Sequence, residues 1–296
     1  MTLPPGVADA LAAALGVAVS SAEPIAGGDL NEAWRVGLGD GRLAFVKSRA
    51  GAAGEEFHDE AAGLRWLADA GALRAPAVLA VGPDAAAGAG PYLALEWVAP
   101  GRLDDSGREA LGRGLAALHL AGAESFGAPP GASGPTRLGP VVLPNDPADD
   151  WPSFYAASRL EPLVRRAADQ GALSAAGARA VQDVCERLPE LAGPAELPAR
   201  LHGDLWSGNV HASADGQPWL IDPAAYGGHR EVDLAMLRLF GDPGPRVLGA
   251  YQELAPLAPG HEERVALWQM LPLLVHAVLF GGGYGAAVER AANTLR

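Results

Sequence analysis

The sequence predicts an α+β chain of two lobes, a small β-rich lobe over residues 1–98 and a larger, mainly helical lobe over 99–296. Two observations carry that expectation. Strand-like runs and turn signals crowd into the first hundred residues around one helical pattern, whereas beyond Pro100-Gly101 the apolar residues recur at helical spacing. The 296 residues are also 49% hydrophobic and only 19% charged, which suits a large buried core and excludes global disorder.

Taken in order, Ser20 to Ile25 reads as the first strand, followed by Gly27-Gly28. Ala33 to Leu38 and Arg42 to Lys47 are joined by Gly39-Asp40-Gly41, and an Asp-Gly between apolar runs signals a hairpin. Glu55 to Ala70 sets Phe57, Ala61, Leu64 and Leu67 at helical spacing, with acidic residues in its first turn and a stop at Gly71. Ala77 to Val81 and Tyr92 to Val98 are two more strands, and Glu96 to Gly101 forms the hinge. Asp104, Asp105 and Ser106 offer N-caps for a helix running to about His119. Ala121 to Asp150, rich in Gly and Pro, is expected to be an irregular loop. Helices follow at Trp151 to Ala168, Ser174 to Leu191, Glu231 to Phe240, Arg246 to Leu254 and Glu262 to Phe280, interrupted by a strand-loop-strand insert at Leu201 to Asp222.

A net charge of −13 argues against a nucleic-acid partner, because affinity for a phosphate backbone comes from clustered Lys and Arg. The single cysteine, Cys185, excludes an intramolecular disulfide and a Cys-based zinc cage, and the histidines have no metal-ligand spacing. Met1 to Ser20 lacks the basic start of a signal peptide, and Leu271 to Val288 is broken by His276 and the run Gly281-Gly282-Gly283, so no membrane segment is expected and the default location is cytoplasmic. Of the 22 basic residues one is a lysine, Lys47, and the other 21 are arginines. Either that is chance, or this position needs a compact ammonium that a planar guanidinium cannot imitate.

The chemistry concentrates in Leu201-His-Gly-Asp204-Leu-Trp-Ser-Gly-Asn209 and Trp219-Leu-Ile-Asp222-Pro. Asp204 and Asn209 have the D-x-x-x-x-N spacing of a kinase catalytic loop, and Asp222 ends an apolar strand where a kinase holds its metal-binding Asp. Phosphoryl transfer needs a carboxylate to take the hydroxyl proton, which suits Asp204, and oxygen ligands for Mg²⁺, which suit Asn209 and Asp222. Pro223 is expected to hold Asp222 in extended backbone. The plain alternative, turn residues chosen for local hydrogen bonds, would explain Asp204 and Asn209 but not the whole string.

From the other lobe, Lys47 at a strand end and Glu60 on the next helix match the kinase pair that positions the α- and β-phosphates. Glu60 competes with Glu56 for that role, and the Phe57-x-x-Glu60-x-x-x-Leu64 pattern favours Glu60 as the inward one. Gly27 and Gly28 could cover phosphates with backbone N–H groups, although a full G-x-G-x-x-G is missing, and main-chain groups of Glu96, Trp97 and Val98 could bind an adenine edge. Trp206 either stacks on the substrate or packs between loop and helix. His229 and Glu231 are candidates for the acceptor site, Asp233 for a helix cap or a brace of the catalytic loop, and Trp151, Phe154 and Tyr155 for core packing.

The string His202-Gly-Asp-Leu-Trp-Ser-Gly-Asn209, with Asp222-Pro-Ala and Tyr226-Gly-Gly-His-Arg-Glu-Val-Asp-Leu-Ala235, resembles the fructosamine kinase (ketosamine-3-kinase) family. Gly27-Gly28, Phe45-Val-Lys47, Phe57-x-x-Glu60, Leu95-Glu-Trp97 and Asp150-Trp-Pro-Ser-Phe-Tyr155 support it. The resemblance implies a bilobal protein-kinase-like fold and an ATP- and Mg²⁺-dependent kinase acting on the sugar O3 of small or protein-linked ketosamines. It implies Asp204 as proton acceptor and Glu96 to Val98 as hinge contacts to ATP. Two readings compete with it, an aminoglycoside- or choline-type phosphotransferase and a nucleotide-binding module without catalysis.

Overall fold

The computed structural model describes residues 3–4, 6–26, 31–49, 54–82, 90–128, 134–241 and 243–295. Its N-terminal part is a five-stranded antiparallel sheet in the order β1-β2-β3-β5-β4, built from β1 (Val19–Ile25), β2 (Glu32–Leu38), β3 (Leu43–Ser48), β4 (Val78–Val81) and β5 (Tyr92–Glu96). The hairpin between β2 and β3 turns at Gly41, whose φ of 88° a side chain would resist. Alternation along β3 splits its side chains between two helices. Ala44 and Val46 join Trp34, Val36 and the buried Val7 and Leu11 of α1 (Val7–Leu15). Phe45 faces the opposite way, onto Phe57, Ala61 and Leu64 of α2 (Glu55–Asp69). Lys47, two residues on from Phe45, therefore emerges beneath α2.

Beyond the sheet, α3 (Asp105–Ala121) starts at Asp104, whose carboxylate accepts the Gly107 N–H at 2.8 Å. It packs on α9 (Pro245–Leu254), and Leu111, Leu115, Tyr251 and Leu220 share one core with Trp66 and Leu67 of α2, which ties sheet and helical part together. The larger core centres on Trp151, Tyr155, Leu201, Tyr226 and Trp268. It collects α4 (Trp151–Tyr155), α5 (Glu161–Asp169), α6 (Ala175–Glu186), α7 (Leu188–Leu191), α8 (Glu231–Leu237), α10 (Val265–Phe280) and α11 (Tyr284–Thr294). Trp151, Phe154 and Tyr155 are core residues, as their spacing suggested. No described helix is long and apolar enough to cross a membrane.

Several elements differ from the sequence expectation. The helix from Trp151 is interrupted by one π-turn at Ala156–Leu160, where Pro162 opens the next helical stretch and removes a backbone donor. Within the expected loop 121–150, β6 (Thr136–Leu138) and β7 (Val141–Leu143) form a hairpin held by buried Leu138, Val141 and Leu143. The strand-loop-strand insert is two separate ladders. β8 (Ala199–Leu201) pairs with β11 (Tyr226–Gly228), and β9 (Val210–Ala212) with β10 (Pro218–Leu220). Helices α1 and α11, which the sequence reading did not assign, rest on alanine-rich segments with few strongly apolar positions.

Candidate active site

Between the sheet and the helical part lies a cleft of about 790 Å³, within the range of small-molecule sites. Lys47, Glu60, Asp204, Asn209 and Asp222 all line it. The side chain of Lys47 is only 5% exposed, and its Nζ lies 2.6 Å from Glu60 Oε2 and 2.7 Å from Asp222 Oδ1. Glu60 rather than Glu56 makes this pair, because Glu56 turns to Arg49. Burial would push the ammonium toward neutrality, but the two carboxylates outweigh it and raise its pKa. Burial pushes the Glu60 carboxyl upward, with Lys47 pulling against it. Asp222 pays a desolvation cost too, yet the Lys47 ammonium holds it below the ordinary carboxylate value.

Asp222 corrects one expectation. Its backbone is not extended but left-handed, with φ 52°, the only non-glycine at positive φ among the described residues. Pro223 disfavours only the right-handed helical region for its predecessor, and aspartate tolerates the left-handed one better than most side chains. The turn keeps the Asp222 side chain 49% exposed in the cleft lining, with Oδ1 on Lys47. Such strain is characteristic of positions that bind or react.

The loop before Asp204 is held from below by Asp233 of α8. Its carboxylate accepts the N–H of His202 at 2.7 Å and of Gly203 at 3.0 Å, and lies 3.3 Å from His119 Nε2. Asp233 thus braces the loop that carries Asp204. Gly203 has φ 82°, and a Cβ there would sit 2.0 Å from the Ala224 carbonyl, so only glycine fits between His202 and Asp204. His202 is fixed as one neutral tautomer. Its Nδ1 accepts the Asp204 N–H at 3.2 Å, and its Nε2–H donates to the Ile221 carbonyl at 2.9 Å. Burial lowers its pKa, consistent with that form.

Asn209, 5% exposed, donates from Nδ2 to the Asp204 carbonyl at 2.8 Å and to Asp204 Oδ2 at 3.1 Å. Both contacts use the amide nitrogen, which leaves Asn209 Oδ1 and Asp204 Oδ1 without a hydrogen bond to a described residue. Burial, and secondarily the negative charge of Asp222, push the Asp204 carboxyl up to about 7. A group of that affinity can take a proton from an alcohol as negative charge leaves the alcohol oxygen. The Asn209 and Asp222 side chains bring hard oxygen donors to the same cleft, the type Mg²⁺ takes in combination with phosphate oxygens.

The other candidates fall into four groups. Trp206 lines the cleft, 39% exposed, edge-on to Phe240 at 6.4 Å. Its ring lies against the Gly208 backbone, where a Cβ would meet the indole at 2.1 Å. His229 and Glu231 are not brought to the cleft. His229 stacks on Trp268 at 5.1 Å, and Glu231 accepts from Arg264 at 2.6 Å and from Trp268 Nε1 at 2.9 Å inside the helical core. A buried carboxylate so fully paired has no valence left for an acceptor. Glu96, Trp97 and Val98 sit where the sheet meets the helical part, outside the cleft lining. The Val98 carbonyl accepts from His211 Nε2 at 3.1 Å, and the Glu96 carboxylate accepts the Ala77 N–H. Gly27 and Gly28 lie outside the described residues. Cleft residues the sequence reading missed include Arg137 on the β6–β7 hairpin, 3.4 Å from Glu55 and 3.5 Å from Asp59 of α2, and Asn145.

The family model for fructosamine kinases matches residues 5–295. A ketoamine kinase of Thermus thermophilus is 37% identical over 268 residues, 90% of this chain and 91% of that protein. A crystal structure from Thermobifida fusca, described as a fructosamine-3-kinase, superposes with a TM-score of 0.89 at 42% identity, covering 98% of each chain. A choline kinase of Streptococcus pneumoniae shares the fold alone, at 17% identity and a TM-score of 0.59 over 94% of this chain and 93% of that one. The fold is that of the protein-kinase-like phosphotransferases, and the chain belongs to the fructosamine kinase family.

Proposed function

We propose that this chain transfers the γ-phosphoryl group of ATP to the sugar O3 of a ketosamine, a fructosamine or ribulosamine adduct of an amine. Family membership supports the reaction. The observation that carries the residue assignment is the convergence of Lys47, Glu60, Asp204, Asn209 and Asp222 on one cleft. In this reading Lys47, oriented by Glu60, holds the α- and β-phosphates. Asp204 accepts the proton of the attacking hydroxyl as the new O–P bond forms and the bond to the leaving ADP breaks. Asn209 and Asp222 would hold Mg²⁺, which supplies positive charge against the phosphate oxygens. The functional division falls at residue 98, with the sheet serving ATP and the helical part the acceptor. Trp206, which lines the cleft and is 39% exposed, would lie beside the amine half of the substrate and leave it open to solvent, which admits a small amine or a protein side chain.

A turnover assay with ATP, Mg²⁺ and a panel of fructosamines, ribulosamines and aminoglycosides tests this. Ketosamines should be the best acceptors, with phosphate appearing on O3 and activity lost on chelation. Faster turnover of an aminoglycoside, or no turnover of any ketosamine, would overturn it.

A further inference from the structure

Arg159 is completely buried, yet no carboxylate among the described residues pairs with it. It sits at the π-turn, its guanidinium packed against the face of Phe154 at 4.5 Å and the face of Tyr226 at 4.2 Å. Nη1 donates to the carbonyls of Pro144 at 2.6 Å and Ser158 at 3.1 Å, and Nη2 donates to Asn145 Oδ1 at 2.8 Å. A permanently charged group buried with two π faces, two carbonyls and one side-chain amide is a costly arrangement, so what it fixes is informative. It fixes Asn145.

Guanidinium nitrogens only donate, so the Asn145 atom facing Arg159 must be the oxygen, which turns the NH₂ group the other way. Asn145 is 4% exposed and lines the cleft that also holds Asp204 and Trp206. Its backbone is pinned as well, since its carbonyl accepts the Ala128 N–H at 3.0 Å. No described residue accepts from Nδ2. A buried amide whose NH₂ meets no acceptor among the described residues, and whose oxygen is held by a buried cation, is suited to meet an acceptor atom that arrives with a ligand.

We propose that Asn145, oriented by Arg159, donates a hydrogen bond to a non-reacting oxygen on the sugar half of the acceptor and so sets its specificity. The inference rests on the ketosamine reading above and deepens it. A sugar offers several lone pairs, and a fixed NH₂ rejects any analogue that leaves it unpaired.

Asn145→Asp is the discriminating variant. It is nearly isosteric and gives Arg159 the counter-charge it lacks, so folding should be unharmed or improved, while the donor is lost. The expected result is an unchanged or higher Tm, a KM for ATP within about twofold of wild type, and a ketosamine kcat/KM reduced roughly 10–100-fold, mostly through KM. A purely structural Asn145 predicts the reverse, a variant with wild-type acceptor kinetics, and that outcome overturns the proposal. So does an equal loss toward ATP. A substrate-side measurement stands independently of whether the variant folds. Among ketosamines deoxygenated singly at each non-reacting position, one should lose the same factor on the wild-type enzyme, and tolerance of every deoxygenation would overturn the proposal. Absence of all ketosamine turnover by the wild-type chain would instead remove the underlying reading, a result distinct from selective failure of Asn145.

Discussion

Replacing Lys47 by arginine separates charge from shape at the centre of the cleft. The native Nζ touches Glu60 at 2.6 Å and Asp222 at 2.7 Å, and the side chain is 5% exposed. No slack remains there for a wider head group. A guanidinium keeps both ion pairs in principle but must displace one carboxylate by on the order of 1 Å, and misplacement of that size at a reacting centre costs about 10²-fold in rate. Overpacking a buried site costs about 1–3 kcal/mol, which at roughly 2–4 °C per kcal/mol lowers Tm by several degrees without unfolding the protein. Steady-state kinetics with ATP varied, beside a thermal melt, should show a folded Lys47→Arg protein with kcat/KM down about 100-fold. Wild-type kcat/KM in that variant would refute the reasoning. Lys47→Met, which removes the charge, adds a check by pH. Without the ammonium, Glu60 faces Asp222 unpaired, and burial, already pushing its carboxyl upward, acts unopposed. A carboxyl whose folded-state pKa exceeds its unfolded value of about 4.3 stabilises the fold below that value and loses the contribution as pH rises through the folded pKa. The Tm deficit of nucleotide-free Lys47→Met should therefore be larger at pH 8 than at pH 6. A deficit independent of pH would contradict the burial of Glu60.

Three further outcomes are expected. Asp204→Asn should fold and bind ATP but lose about 10²–10⁴-fold in kcat, measured in single-turnover experiments, because it keeps the Asn209 contact and loses the proton acceptor. Asp222→Asn, rather than alanine, isolates the metal role, since asparagine tolerates φ 52° as well as aspartate does. It should raise the Mg²⁺ concentration needed for half-maximal rate at least tenfold, and an unchanged Mg²⁺ titration would place the metal elsewhere. Burial pushes the Cys185 thiol up to about 12, so a thiol-specific disulfide reagent should label native protein far more slowly than denatured protein and leave activity intact.

How much was legible depended on how local each signal is. The strands β1 to β5, helix α2 and the cap at Asp104 rest on short-range chemistry, namely alternation, a Gly-Asp-Gly turn and a side-chain oxygen at an N-cap, and these can be read along the chain. The β6–β7 hairpin could not be read so. Its strands are three residues each, and they persist because Leu138, Val141 and Leu143 are buried in a core made by distant helices. Helices α1 and α11 failed for a related reason, since alanine-rich segments carry little periodic contrast until a partner surface selects one face.

Site residues divide along the same line. Asp204, Asn209, Asp222, Lys47 and Glu60, the residues proposed to serve phosphoryl transfer, stand out because that chemistry demands particular groups at particular spacings. His229 and Glu231 were drawn in by proximity in sequence to Asp222, but the chain turns at Tyr226–Gly228 into β11, which pairs with β8 and carries them into the helical core. Their neighbour Asp233 is turned toward the catalytic loop by α8, within reach of the His202 and Gly203 amides. Asn145 lies at the other extreme. Nothing near it in sequence marks it, and its orientation is set from 14 positions away by an arginine that the fold buries against two aromatic rings. The groups proposed as catalytic are thus written in spacing, whereas the group proposed to choose the acceptor is written in packing. Relatives that keep the catalytic spacing should therefore be able to change acceptor by altering the wall around the Arg159 pocket alone.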